Sequence, residues 1–237
     1  MGRLHSLSIP ARTRARAASG AGRTRRAVRR AAWLPVLVLA TALPAQAFAL
    51  TGLVIGDSIS AAFGLPERDG WVALAEQRLQ EEWPDLRLVN ASISGDTTVG
   101  GLRRLPDAIA RFEPDLVIIE LGGNDGLRGY PPKQMRQNIE EMARLSREAG
   151  AEVLILGMMI PSNYGGAYTR LFGEAFVEAA DATDSALVPF LLEPIADDRA
   201  NFQADGIHPT AEAQARLVEH VMPTLRELVA ARDDGAS

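Results

Sequence analysis

Short apolar runs and amphipathic segments alternate along the chain from about residue 50 onward. Five of the runs are rich in branched side chains and bounded by Gly, Asp or Pro, at positions 53–55, 86–89, 116–119, 153–156 and 187–188. A parallel strand that is covered on both faces requires nearly continuous apolarity. The five runs therefore predict buried parallel strands.

Apolar positions at helical spacing lie between and after these runs. They are Val72, Ala75, Leu79 and Trp83, then Leu102, Leu105, Ile109 and Phe112, then Met135, Ile139, Met142 and Leu145, and finally Val218, Val221, Met222, Leu225 and Val229. Alternating strands and helices predict an α/β fold, a flavodoxin-like three-layer α/β/α sandwich with about five parallel strands. Because such folds bind ligands beyond the carboxyl ends of the strands, we expect the chemistry there.

The amino-terminal 50 residues have a different composition. They hold 9 of the 25 basic residues and none of the 30 acidic ones, and an apolar stretch at 31–43 and small residues at 45–49 follow the basic part. This order predicts a signal peptide with a basic extension over residues 1–49, cleaved after Ala47 or Ala49, and an exported protein that is periplasmic or secreted. The apolar stretch is shorter than the roughly 20 residues that span a bilayer, so we expect no stable membrane anchor.

Two alternatives remain open for this segment. The pair Arg25-Arg26 ahead of an apolar run also fits a twin-arginine signal instead of a general secretory one. A misplaced start codon also accounts for the length of the basic part.

Composition narrows the chemistry. The chain has no cysteine, which excludes disulfides, thiolate metal sites and a cysteine nucleophile, so a nucleophile must carry oxygen. The net charge is −5 for the whole chain and −14 from residue 51 onward, and Lys133 is the only lysine. An acidic body of this kind argues against a nucleic-acid partner, which requires a basic surface.

Two candidate groups follow the first two predicted strands. Ser58 comes directly after the first strand, in a Gly-Asp-Ser turn that we expect to open toward a helix, which is a suitable position for a nucleophile. The alternative is that Asp57 or Ser58 only caps that helix. Gly95 follows the second strand, and a glycine N–H is free to donate to an oxyanion. A plain loop-to-helix turn is its alternative.

The third predicted strand ends in Glu120-Leu121-Gly122-Gly123-Asn124-Asp125. Its two glycines allow the backbone to approach a ligand closely, and the Asn124 amide donates without titrating. A simple turn is the alternative for Asn124. Glu120 is unusual inside an apolar strand, and a hydrogen-bonded structural carboxylate is its favoured interpretation.

The fourth segment is Asp205-Gly206-Ile207-His208, just ahead of the last predicted helix. Of the three histidines, His5 lies in the predicted signal peptide and His220 on the apolar face of that helix, so only His208 lies in a loop. Asp205 is close enough to bond the imidazole Nδ1 and to direct Nε2 toward a serine hydroxyl. A solvent-facing loop histidine is the alternative.

Taken in order, Gly56-Asp57-Ser58, Gly95, Gly123-Asn124-Asp125 and Asp205-Gly206-Ile207-His208-Pro209 resemble the four sequence blocks of the SGNH (GDSL-type) hydrolases. The stretches 90–97 and 120–129 resemble those of its exported bacterial arylesterase, acyl-CoA thioesterase I and lysophospholipase L1 branch. The resemblance covers about residues 51–230. It implies an SGNH hydrolase domain over residues 50–237.

The same resemblance implies the roles of the site residues. Ser58 would be the nucleophile of a triad with Asp205 and His208, and Ser58, Gly95 and Asn124 would form the oxyanion hole. Tyr164, in the Ser162-Asn163-Tyr164-Gly165 segment, would lie in a loop near the acyl site and bind substrate.

The expected function is that of a serine esterase acting on small carboxylic esters or thioesters, with arylesterase, acyl-CoA thioesterase or lysophospholipase activity and no metal or cofactor. A carbohydrate O-acetylesterase is the alternative, and a catalytically inactive binding protein on the same scaffold is a further one. A metallophosphoesterase would need more histidines than the chain supplies. The fold alone selects neither the natural acyl donor nor the oligomeric state.

Overall fold

A computed structural model of the protein describes residues 50–236. The predicted signal peptide, residues 1–49, lies outside these described residues and stays a prediction. Between residues 50 and 236, no helix combines the length and apolarity that crossing a membrane requires.

A five-stranded sheet forms the centre of the described chain, in the order β2-β1-β3-β4-β5. Its strands are β1 (Thr51–Gly56), β2 (Arg87–Asn90), β3 (Leu116–Glu120), β4 (Glu152–Leu156) and β5 (Ala186–Val188). Every pairing is parallel, and all five residues of β3 are buried. The prediction of a parallel sheet covered on both faces is therefore confirmed.

Six α-helices accompany the sheet in residues 50–236. They are α1 (Trp71–Gln80), α2 (Thr98–Phe112), α3 (Gly123–Leu127), α4 (Pro132–Glu148), α5 (Gly166–Thr183) and α6 (Ala211–Ala236). α1 packs against α6, while α2 and α5 both pack against α4. These two groups are the outer layers of the predicted sandwich.

The helical patterns locate α1, α2, α4 and α6 but not α5. The buried face of α5 consists of Phe172, Ala175, Phe176, Ala179 and Ala180, and its alanines give only a weak hydrophobic signal. Trp83 lies beyond the end of α1 and packs only partly buried against the core.

Parallel pairing places the carboxyl ends of all strands at one edge of the sheet. The segments after β1, β2 and β3 therefore meet there. The fourth candidate segment reaches the same edge as a loop closed by a bridge between Phe202 and Pro209. Ser58, Gly95, Asn124 and His208 all lie in these segments.

Candidate active site

A chain of two hydrogen bonds links Asp205, His208 and Ser58. The imidazole Nδ1 of His208 lies 2.7 Å from Asp205 Oδ2, and its Nε2 lies 2.9 Å from Ser58 Oγ. Ser58 and His208 are 150 residues apart in sequence. With Nδ1 protonated and donating to the carboxylate, Nε2 is free to accept the serine proton.

The backbone of the same loop also holds the Asp205 carboxylate. Its Oδ1 accepts the N–H groups of Ile207 at 2.9 Å and His208 at 3.0 Å. The His208 imidazole, and then these two N–H groups, hold the pKa of Asp205 well below its usual range. Asp205 is therefore ionised at neutral pH.

The aromatic ring of Phe63 packs against the His208 ring, and the two ring centroids are 4.2 Å apart. Ala62, just before Phe63, adopts a left-handed backbone with φ of 55°, and the Phe63 carbonyl accepts the Gln203 amide at 2.7 Å. The sequence patterns gave no indication of Phe63, because only the fold brings the Ser58 turn against the His208 loop.

The Ser58 turn does not open into an α-helix as expected. Residues 58–64 form a series of hydrogen-bonded turns, and α1 begins only at Trp71. Asp57 Oδ1 accepts the N–H of Ile59 at 3.0 Å and so stabilises the turn, but no α-helix begins there for Asp57 or Ser58 to cap. Ser58 Oγ, in contrast, faces His208.

Glu120 holds this turn from the end of β3. Its Oε2 accepts the hydroxyl of Ser60 at 2.7 Å and the N–H groups of Asp57 and Ser60 at 3.3 Å each. Burial, and then the nearby Asp57 carboxylate, raise the pKa of Glu120 well above its usual range. These contacts match the structural interpretation of Glu120.

Gly95 occupies a tight turn in which the Asp96 N–H donates to the Ile93 carbonyl at 3.0 Å. The φ of Gly95 is 79°, a left-handed value that glycine adopts without strain. Among residues 50–236, the N–H groups of Gly95 and Ser58 have no hydrogen-bond acceptor. Both are available to a ligand.

Asn124 lies in the first turn of α3, and its amide nitrogen donates to Asp57 Oδ2 at 2.9 Å. Burial raises the pKa of Asp57 to about 6. Asp125, next to Asn124, accepts the Thr98 hydroxyl at 2.6 Å and the Thr98 N–H at 2.9 Å. These bonds tie the Asn124 segment to the Ser58 turn and to the start of α2.

A cavity of about 680 Å³ opens beside Ser58, Asn124 and His208. Most of its lining is apolar and includes Leu127, Met158, Met159, Ile160, Pro161, Phe190, Leu192, Phe202 and Ile207. Tyr164 does not line it, and its hydroxyl instead donates to the Leu127 carbonyl at 2.9 Å. Substrate binding by Tyr164 stays a prediction.

His220 is not part of the hydrogen-bonded group around Ser58. His220 lies in α6 with its Nε2 3.1 Å from the Phe190 carbonyl. The part of the chain that the structure describes holds no group of three His, Asp or Glu side chains arranged to bind a metal ion.

Several known proteins are similar in sequence to this chain over most of its length. Residues 54–216 match the model of the GDSL-like Lipase/Acylhydrolase family. Esterase TesA of Pseudomonas aeruginosa is 54% identical over 187 residues, which cover 79% of this chain and 93% of that protein. The arylesterase of Vibrio mimicus is 41% identical over 173 residues, covering 73% and 86%. Thioesterase 1/protease 1/lysophospholipase L1 of Escherichia coli is 37% identical over 196 residues, covering 83% and 93%.

Solved structures agree with these sequence relatives. The crystal structure of TesA superposes with a TM-score of 0.73 over 75% of this chain and 99% of that one, at 54% identity. That of the psychrotrophic esterase EstA from Pseudoalteromonas, inhibited by monoethylphosphonate, gives 0.72 over 76% and 98% at 37% identity.

Proposed function

The chain belongs to the GDSL-like lipase/acylhydrolase family and is an esterase, and we propose that Ser58, His208 and Asp205 catalyse hydrolysis of its ester substrates by a two-step acyl transfer. The observation that carries this proposal is the continuous hydrogen-bonded chain from Asp205 Oδ2 through His208 to Ser58 Oγ. It is the arrangement that a general base needs to activate a serine hydroxyl.

The first step forms an acyl-enzyme. His208 Nε2 takes the Ser58 proton as Oγ attacks the substrate carbonyl, and Asp205 stabilises the imidazolium. The carbonyl oxygen gains negative charge, which the N–H groups of Ser58 and Gly95 and the Asn124 amide stabilise. Each donor of this kind contributes about 3–4 kcal/mol to the transition state. The alcohol or thiol then leaves with the proton from His208.

Water completes the cycle. His208 takes a proton from water as its oxygen attacks the acyl carbon, and the same three donors hold the second oxyanion. The bond to Ser58 Oγ then breaks, the serine recovers its proton from His208, and the carboxylic acid leaves. Every proton in this cycle passes through His208 Nε2.

The apolar lining of the cavity supports a substrate with an apolar acyl group, which would bind in this cavity. Met158, Phe190 and Leu192 line the same cavity as Ser58 and His208, and their apolar side chains favour a hydrocarbon over a sugar. We therefore place aryl esters, acyl thioesters and lysophospholipids ahead of acetylated carbohydrates. Initial rates on p-nitrophenyl esters from acetate to palmitate, on palmitoyl-CoA and on a lysophospholipid rank these classes.

A fluorophosphonate probe tests the proposed site. It should attach to Ser58, as located by peptide mass spectrometry, and abolish esterase activity in proportion to labelling. Ser58→Ala should remain unlabelled. Treatment of the wild type with EDTA should leave the rate of ester hydrolysis unchanged. If the probe labelled Ser58→Ala as fast as it labels the wild type, the assignment of Ser58 as the nucleophile would be refuted.

We also propose export, with residues 1–49 as the signal peptide. The support is the order of basic, apolar and small residues in the sequence.

A further inference from the structure

Arg104 joins the two loops that carry Ser58 and Gly95. Its side chain extends from α2 to the end of β1 and to the loop after β2, and 21% of the side-chain surface is exposed. The guanidinium donates to the carbonyl of Gly56 at 3.1 Å, to the carbonyl of Ala91 and to Asp96 Oδ2 at 2.8 Å. One planar cation therefore bonds to both loops.

The three acceptors lie close to oxyanion donors along the chain. Gly56 ends β1 two residues before Ser58, Ala91 opens the loop after β2, and Asp96 directly follows Gly95. Bonds from one guanidinium to Gly56 and Asp96 constrain how far apart the two loops lie, and each bonded residue is within two positions of an N–H donor. This spacing decides whether both N–H groups reach one oxygen atom.

The local sequence makes room for this arrangement. A Cβ at Gly100 would lie 1.7 Å from Asp96 Oδ1, so glycine is needed for the Asp96 carboxylate to fold back against α2. Asp96 Oδ1 also accepts the Thr97 N–H at 2.9 Å, and the Asp96 side chain is 12% exposed. The ion pair with Arg104 is thus largely shielded from solvent, where its geometry is held more firmly than at the surface.

We infer that Arg104 is a positioning residue that sets the separation of the Ser58 and Gly95 oxyanion donors through Gly56, Ala91 and Asp96. The inference rests on the proposed acyl-transfer function. Arg104 acts through the backbone of two loops and does not touch substrate. Its loss should therefore reduce stabilisation of the transition state more than it reduces binding of the substrate. Lysine should not replace it, since an ammonium lacks the planar fork that bonds three acceptors in fixed directions.

The test compares Arg104→Lys with the neighbouring Arg103→Lys, because Arg103 is exposed on the same helix. Rates are divided by the concentration of active sites from fluorophosphonate titration, so that unfolded protein does not count. Arg104→Lys should lower kcat about tenfold or more with KM within about twofold, a size typical of a small misplacement of catalytic groups. Arg103→Lys should match the wild type.

Two further measurements separate positioning from a purely structural role. The kcat losses of Arg104→Lys and Asn124→Ala should combine to less than their product, because both act on the same oxyanion. Guanidinium added to Arg104→Ala should restore part of kcat, whereas added ammonium should not. Titrated Arg104→Lys with wild-type kcat, or a loss seen only in KM or in the active fraction, would overturn the inference. Ser58→Ala that retains activity would instead refute the proposed function.

Discussion

The amide nitrogen of Asn124 donates to the buried Asp57 carboxylate at 2.9 Å, although the two residues are 67 positions apart. An amide nitrogen carries two hydrogens, so one remains available as a donor while the other bonds to Asp57. Both residues line the cavity beside Ser58. In the proposed mechanism, this bond orients the remaining amide hydrogen of Asn124 toward the reacting carbonyl and disfavours the flipped amide, whose oxygen would repel an oxyanion.

Asn124→Ala should lower kcat about a hundredfold or more with KM little changed, because it removes a donor that strengthens as the carbonyl oxygen gains charge. Asn124→Asp should be as harmful, since a carboxylate repels the oxyanion. Steady-state kinetics on folded protein measures both. If Asn124 were only a turn residue, the loss would be about 1 kcal/mol of stability, with more than about a third of kcat kept.

Asp57→Asn should change how stability depends on pH. The folded-state pKa of Asp57 is about 6, above its ordinary 3.8, so between those values the folded protein binds more protons than the unfolded chain. The free energy of unfolding therefore falls as pH rises through this window, by about 3 kcal/mol at most from this group. Asparagine cannot titrate and should remove that part of the fall.

Urea unfolding from about pH 4 to about pH 7 measures this difference. Asp107→Asn is the matched control, because Asp107 is exposed on α2. A pH dependence of Asp57→Asn identical to that of the wild type would show that the Asp57 carboxyl does not titrate in this range. The Asp57→Asn variant should also lose kcat, since the Asn124 amide is then free to flip.

Ser58→Ala and His208→Ala should each lose most of kcat, whereas His220→Ala should affect stability if anything. His208 bonds Ser58 Oγ and Asp205, while His220 lies in α6 against the Phe190 carbonyl. Rates on a p-nitrophenyl ester, with folding checked by circular dichroism, distinguish them. Equal activity losses in folded His208→Ala and His220→Ala would overturn the assignment of the base.

Mature protein should begin near residue 48 or residue 50, because the sequence places small residues there after an apolar stretch. Amino-terminal sequencing of protein from the periplasm or medium of an expressing bacterium measures this directly. Exported protein that still begins at Met1 would contradict the signal-peptide prediction.

The sequence predicts the sheet and the candidate site better than it predicts what supports the site. Ser58, Gly95, Asn124 and His208 stand out because each follows a strand or precedes a helix within a few residues of Gly, Asp or Pro. The parallel sheet then brings their segments to one edge, as the strand pattern predicts.

The supporting contacts join residues distant in sequence and leave no local pattern. In the sequence, Arg104 is an ordinary basic residue on an amphipathic helix and Phe63 is an aromatic residue in a loop. Only the fold places Arg104 against Gly56 and Phe63 against His208. Glu120 was visible as a carboxylate in an apolar strand, but its partner Ser60 was not. Such contacts depend on side-chain geometry, which hydrophobic periodicity does not encode.

Capture of the acyl-enzyme determines whether Ser58 carries the acyl group during turnover. The protein is mixed with a p-nitrophenyl ester, quenched in acid within milliseconds and digested for mass spectrometry. We expect a burst of p-nitrophenol and the substrate's acyl group on the Oγ of Ser58, with both absent from Ser58→Ala. An acyl group on another residue, or an undiminished burst from Ser58→Ala, would contradict it.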